Sequence, residues 1–137
     1  MPSFIPLQAA YHELDALYEL DEDGAALIDV LFEALSDDAQ MLARLCQPDD
    51  HYTYTPPFEI KRFAAMQRLG KNIYTLKVRD VQGGLLPYRV LMGYHAQIDT
   101  YFVLAVLPRE IAYDKTDPNF RRVMERYEQA GIPTYPH

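Results

Sequence analysis

The chain has 137 residues, of which 49% are hydrophobic and 24% are charged, and its formal net charge is −7. No apolar run approaches the roughly 18–20 residues that a membrane-spanning helix needs, and the single cysteine, Cys46, excludes an internal disulfide and a thiolate metal cluster. Since no basic segment precedes a long apolar stretch at the N-terminus, no signal peptide is predicted, and we expect a cytoplasmic protein without a cofactor.

The N-terminal third predicts helices. Apolar residues recur at steps of three and four across residues 7–18, which predicts a first amphipathic helix, and again across residues 27–35, which predicts a second. Gly24 and the acidic residues before it predict the turn between them. Ser36 is suited to cap a third helical segment that includes residues 41–45.

A loop and a sheet follow. Residues 49–57 are polar, aromatic and end in two prolines, which predicts a loop, and residues 59–68 predict a short helix. Three strand-like runs then cover residues 73–79, 88–94 and 101–107, and the short links between them favour an antiparallel meander. The third run is apolar on both faces, which predicts the central strand.

Alternation within the strands assigns side chains to faces. Lys77 and Arg79 share one face of their strand with Thr75, while Arg89 lies opposite the face of Tyr88. After the last strand, Asp117 and the proline that follows it predict the start of a closing helix. We therefore predict a single α+β domain over residues 1–137, in which N-terminal helices pack on a twisted antiparallel sheet of three to five strands, followed by a C-terminal helix.

The charges are segregated along the chain. Residues 1–60 hold thirteen acidic residues and one basic residue, whereas residues 61–137 hold seven acidic and twelve basic residues. The basic sheet suggests a surface that meets an anionic partner. The acidic helices are either a solvated surface or a surface that mimics phosphate or occupies a basic site, on this or another protein. A further alternative makes them a built-in cover for the chain's own basic face.

The sheet motifs carry a family resemblance. The chain reads Ile73-Tyr-Thr-Leu-Lys-Val-Arg79, then Tyr88-Arg-Val, then a last strand that ends in Pro108-Arg109. These motifs, in this order after N-terminal helices and before a closing helix, resemble the RelE/ParE toxin superfamily over residues 58–128. The resemblance implies a toxin of a type II toxin–antitoxin module, with an antitoxin protein as partner and ribosome-bound mRNA as the substrate of its RelE-type members.

The resemblance also implies site residues. Lys77 corresponds to the lysine of the first sheet motif, Arg89 to the arginine of the Tyr-Arg motif, and Arg109 to the arginine after the last strand. Tyr113 lies near the position of a late catalytic tyrosine, and Lys115 lies at that position in a gapless match. Thr75 stands where a basic residue is common.

The chemistry implied is metal-independent RNA cleavage by the neighbouring 2′-hydroxyl. Such cleavage needs a base, cations that hold the charge of the phosphorane, and an acid for the leaving oxygen. Lys77, Arg79 and Arg89 are the expected cations, with Lys77 as base if it is desolvated, Arg109 or Tyr113 as stabiliser or acid, and Arg79 with Lys115 as substrate-binding residues. The four histidines show no ligand spacing, so no metal site is predicted.

Two other interpretations stay open. Lys77, Arg79 and Arg89 are equally compatible with an ordinary solvated sheet face. ParE-type relatives inhibit a topoisomerase through protein contacts, so the alternative function is a non-catalytic protein-binding module with the acidic helices as its contact surface.

Overall fold

The computed structural model describes residues 2–43, 45, 57–114 and 116–135. The secondary structure elements follow one another in the order β1 (Ser3–Pro6), α1 (Gln8–Leu20), α2 (Glu22–Asp37), α3 (Ala39–Ala43), β2 (Phe58–Arg62), α4 (Ala64–Arg68), β3 (Ile73–Val78), β4 (Tyr88–His95), β5 (Thr100–Pro108), α5 (Arg109–Ala112) and α6 (Pro118–Gln129).

The five strands form one sheet in the order β1-β5-β4-β3-β2. The β2–β3, β3–β4 and β4–β5 pairs are antiparallel, as the short connections predicted, and β1 pairs parallel with β5. The α+β class, the N-terminal helices, the meander and the C-terminal helix are therefore confirmed. The sheet is mixed because β1, which the sequence did not indicate, joins its edge.

Two features of the sheet differ from the predictions. The predicted helix over residues 59–68 is wrong in its first half, because Phe58–Arg62 pairs with β3 and only Ala64–Arg68 is helical. The alternation of apolar Phe58 and Ile60 with charged neighbours is the strand pattern that this prediction overlooked. The central strand is β4, not β5, although both faces of β5 are covered as predicted.

The helix caps also differ. Helix α2 begins before Gly24, because Asp21 is its cap and accepts a hydrogen bond from the Gly24 amide at 3.0 Å. Helix α2 continues through Ser36, and Asp38 rather than Ser36 accepts the free amides at the start of α3. In α6 the predicted cap is correct, since the Asp117 carboxylate accepts from the Asn119 amide at 2.8 Å.

Helices cover both faces of the sheet. On the first face, α1, α2 and α3 pack against alternate strand residues that include Leu76, Val90 and Val103. On the second face, α4, α5 and α6 pack against the intervening residues, which include Ile73, Leu91 and Leu104. The two apolar layers explain why β5 is apolar on both sides.

Side chains close the edge of β5 where β1 ends. The β1–β5 pairing stops at Pro6 opposite Val103. Beyond it, the Val106 amide donates to Glu13 Oε1 at 3.0 Å, and Arg126 donates from one guanidinium nitrogen to the Leu104 carbonyl at 2.8 Å and to Glu13 Oε1 at 3.0 Å. A carboxylate from α1 and an arginine from α6 thus replace the missing strand.

Candidate functional site

Basic side chains gather on the second face of the sheet. The strand registers place Lys61 opposite Thr75 and Lys77 opposite Glu59. Arg89 lies one step beyond the Leu76–Val90 pair, on the same face as Lys77. We call Lys61, Lys77, Arg79 and Arg89 the basic row. The predicted grouping of Lys77, Arg79 and Arg89 on one face agrees with this placement.

Arg89 is the most unusual member of the basic row. Its side chain is only 5% exposed, and one guanidinium nitrogen donates to the carbonyls of Leu86 and Tyr88, each at 2.9 Å. The buried Nε has no hydrogen-bond partner among the described residues. A buried guanidinium is costly unless an anion balances its charge. No described carboxylate forms an ion pair with Arg89, so no described acidic residue balances its charge.

Arg79 and Glu59 form the ion pair of the basic row. Arg79 donates to Glu59 Oε2 at 3.4 Å and to the Gly83 carbonyl at 3.3 Å, and both charged side chains of the pair are about three-quarters buried. Because Lys77 lies opposite Glu59 in the strand register, this carboxylate offsets part of the positive charge of the row.

The sequence prediction missed Lys61 and Glu59. Both lie in β2, which we had predicted to be helical, so their common face with Lys77 was not expected. The signal was present in the alternation of Phe58 and Ile60, on the first face, with Glu59 and Lys61, on the second.

The second face also carries unpaired polar atoms. The Oγ1 atom of Thr75 and the Nε atoms of Arg79 and Arg89 are buried without a hydrogen-bond partner among the described residues. Buried polar atoms are nearly always paired, so each of these three atoms lacks a partner that water or a ligand would supply.

Arg109 and Tyr113 occupy two different places. Arg109 is exposed at the start of α5, where its amide donates to the Pro87 carbonyl at 2.9 Å, close to the strand end that carries Arg89. The ring of Tyr113 instead packs edge-on against Phe63 at 5.2 Å. The Phe63 amide pairs with Ile73, which is about 13 Å along β3 from Lys77 at 3.3 Å per residue. The predicted substrate-binding residue Lys115 lies outside the described residues.

Tyr88 of the Tyr-Arg motif is turned to the first face. Its hydroxyl donates to Asp21 Oδ2 at 2.9 Å and so ties β4 to the corner between α1 and α2. Burial, followed by this hydrogen bond, raises the pKa of Tyr88 above its ordinary value. Tyr88 is therefore a packing residue.

The acidic helices lie away from the basic row. Helices α1 and α2 pack on the first face, while the basic row occupies the second. The interpretation in which these helices cover the chain's own basic face is therefore wrong, since the sheet separates the two.

A groove opens between α1 and the end of β5. It has a volume of about 230 Å³ and is lined mainly by apolar side chains that include Leu17, Leu20, Val106 and Ile111. Leu20 at its rim is 85% exposed. Such a groove suits an apolar side chain of a protein partner better than a polar ligand.

The described residues show neither a metal site nor a membrane-spanning helix. In the described part of the chain, no three His, Cys, Asp or Glu side chains are grouped in a way that would hold a metal ion. Among the same residues, no helix combines the length and the apolar character that crossing a bilayer requires.

Comparison with known proteins adds no identification. The chain matches no protein-family model, no curated protein and no solved structure.

Proposed function

We propose that this protein is a RelE/ParE-like toxin that binds RNA through the basic row on the second face of its sheet. The observation that carries the proposal is the buried guanidinium of Arg89, which has no described carboxylate partner and lies beside Lys77 and Arg79. A phosphate group supplies the charge and the acceptor atoms that this guanidinium lacks.

The roles proposed for cleavage follow from these positions. Lys77, Arg79 and Arg89 would hold the non-bridging oxygens while the 2′-oxygen attacks phosphorus and the 5′-oxygen leaves with a proton. Arg109, exposed near the same strand end, is the candidate for stabilising the leaving oxygen. Tyr113 packs on Phe63 and is a weaker candidate for the acid.

The acidic net charge is compatible with RNA binding on this face. Most of the acidic residues of the first 60 positions belong to α1 and α2, on the far side of the sheet. Charge separated in this way repels RNA from one face and attracts it to the other, so it orients the encounter.

The test combines growth and RNA binding. Induced expression of the wild type is expected to arrest growth and cleave mRNA, and Arg89→Ala and Lys77→Ala are expected to abolish both effects. Arg121→Ala removes an exposed positive charge of α6 and serves as the control for the loss of one positive charge. A harmless wild type, with neither growth arrest nor mRNA cleavage, would contradict the proposal.

Salt dependence distinguishes phosphate contacts from misfolding. We expect Lys77→Ala to weaken binding of the purified protein to single-stranded RNA and to lower the slope of log K against log salt by about one contact, or roughly 0.7. Its thermal unfolding should stay close to that of the wild type, since Lys77 is only partly buried. An unchanged slope would count against a phosphate contact at Lys77.

The groove favours a second candidate function, a non-catalytic protein-binding module. In this case a target such as a topoisomerase would be inhibited by contacts at Leu17, Leu20 and Ile111. Inhibition of supercoiling that survives Lys77→Ala and Arg89→Ala but is lost in Leu20→Asp would support this candidate. Inhibition that depends on the basic row, or no inhibition at all, would dismiss it.

A further inference from the structure

The outer edge of β2 has backbone groups that no described strand uses. Strand β2 lies at the end of the described sheet, and among the described strands it pairs with β3 alone. Next to the strand ends, the Arg79 amide donates to the Pro57 carbonyl and the Phe63 amide to the Ile73 carbonyl, each at 3.0 Å. Odd-numbered positions of β2 therefore turn their backbone groups towards β3.

The even-numbered positions turn outward. Hydrogen-bonded and non-hydrogen-bonded positions alternate along an antiparallel pair, so the backbone groups of Phe58, Ile60 and Arg62 point away from β3. A row of free amides and carbonyls of this kind is a template for pairing with another strand.

We propose that two copies of the chain associate through β2, paired antiparallel about a twofold axis at Ile60. In this register Ile60 is opposite Ile60 of the second copy, and Phe58 is opposite Arg62. All of the outward amides and carbonyls of these three positions then form hydrogen bonds between the copies.

The charge pattern selects this register. The twofold axis at Ile60 places Glu59 of each copy opposite Lys61 of the other, at a non-hydrogen-bonded position where side chains are closest. An axis at Glu59 would put two glutamates together, and an axis at Lys61 would put two lysines together. Both alternatives also lose one of the three hydrogen-bonded pairs. The charges and the number of hydrogen bonds therefore both favour the register at Ile60.

Charged residues on an edge strand usually prevent pairing because like charges meet. In β2 the alternation of Glu59 and Lys61 removes that obstacle for a second copy of the same strand. The pairing would also bring both copies of the basic row to the same side of one continuous sheet. The association itself does not depend on the proposed RNA binding.

The interface is small, because it rests on five residues from each copy. We therefore expect a reversible, concentration-dependent dimer rather than a permanent one. Sedimentation equilibrium of the full chain over a wide range of concentrations measures its dissociation constant.

Charge reversal tests the register. Glu59→Lys and Lys61→Glu are each expected to raise the dissociation constant by about tenfold or more, because like charges then face each other twice. A mixture of the two variants restores opposite charges at both positions, so the mixed dimer is expected to form about as well as the wild type. A general folding defect in either variant would not be repaired by mixing.

Matched controls separate this effect from net charge. Glu33→Lys on α2 and Arg68→Glu on α4 change the net charge of the chain by the same amounts at exposed positions, and neither is expected to alter the dissociation constant.

A backbone variant tests the edge directly. Arg62→Pro removes an outward amide at an exposed position without touching the hydrogen bonds to β3, so it is expected to abolish the dimer while circular dichroism and thermal unfolding stay close to those of the wild type.

Three results would overturn the proposal. They are a monomer at every concentration, a dimer that Arg62→Pro leaves intact, and a mixture of Glu59→Lys with Lys61→Glu that associates no better than either variant alone. RNA binding measured on the monomeric Arg62→Pro variant tests the proposed RNA binding separately from the proposed dimer.

Discussion

At the residue scale, Glu59 reduces the positive charge of the basic row. It is the one acidic side chain of β2, it pairs with Arg79 at 3.4 Å, and it lies opposite Lys77 in the register. A phosphate that binds the row must compete with this carboxylate for Arg79 and must approach its negative charge.

We therefore predict that Glu59→Gln tightens binding of single-stranded RNA, by about three- to tenfold at low salt. Fluorescence anisotropy measures the change, and the gain should shrink as salt rises because the repulsion is screened. Glu33→Gln, which removes an exposed negative charge on α2, is the control and should change affinity less. Equal effects of the two variants would mean that net charge, not the site, determines binding.

At the element scale, the stability of β5 depends on side chains at its open edge. Glu13 Oε1 accepts from both the Val106 amide and Arg126, and Arg126 also donates to the Leu104 carbonyl. Both charged side chains are mostly buried, at 22% and 16% exposure. Removing either one leaves a mostly buried charge and a backbone group without their partners.

Accordingly, Glu13→Ala is predicted to lower the free energy of unfolding by about 2–3 kcal/mol, which urea denaturation measures. Arg126→Ala should cost a similar amount, and the double variant should cost less than the sum because the two residues share one network. Glu19→Ala, at an exposed position of the same helix, is expected to change stability by less than about 0.5 kcal/mol. Additive costs for Glu13→Ala and Arg126→Ala would contradict the shared network.

Gly93 fixes how closely the C-terminal segment approaches β4. A Cβ atom at this position would lie 2.5 Å from Ile132 Cδ1 and 3.2 Å from Tyr127 Cδ2. Tyr127 has little room to move, because its hydroxyl donates to the Pro133 carbonyl and accepts from the Asn72 amide.

Gly93→Ala is thus expected to destabilise the protein by about 1–3 kcal/mol through overpacking. Ile132→Val removes the atom in closest conflict, so the double variant should recover part of that loss. Thermal unfolding of the two single variants and the double variant measures the coupling. A double variant that loses the sum of the two single effects would show that the Ile132 contact is not the cause.

At the scale of the whole molecule, the sheet separates an acidic layer from a basic one, and tyrosine hydroxyls join neighbouring elements. Tyr18 links α1 to α2, Tyr88 links β4 to the start of α2, and Tyr127 links α6 to the residue before β3. The Tyr18 hydroxyl donates to Asp29, and this hydrogen bond, followed by burial, raises the pKa of Tyr18. Burial is the largest cause of the raised pKa values of Tyr88 and Tyr127. All three groups are held neutral in the folded protein at a pH where the unfolded chain already loses their protons.

These raised pKa values predict the alkaline limit of stability. The contribution of the three tyrosines is fully present below pH of about 10, the unfolded pKa, and is lost as pH rises through the higher folded values. Urea denaturation between pH 8 and about 11.5 should show a falling free energy of unfolding above pH of about 10. Tyr88→Phe should weaken this pH dependence, and a stability that rises over the same interval would contradict the assignment.

The sequence alone determined the element types wherever one periodicity dominated. Local patterns predicted the helices before α3, the strands β3 to β5 and the cap at Asp117. Strand alternation placed Lys77 and Arg79 on one face. These features depend on contacts between near neighbours along the chain, which the pattern itself records.

Only the tertiary structure decided the rest. Four features depend on contacts between residues that are far apart in the chain. They are the parallel pairing of β1, the strand state of Phe58–Arg62, the burial of Arg89, and the closure of β5 by Glu13 and Arg126. A short segment has only a weak intrinsic preference for strand or helix, so pairing with a neighbouring strand decides its secondary structure. For the same reason the sequence predicted basic residues on a sheet face, while the fold alone showed which guanidinium is buried without a described anionic partner.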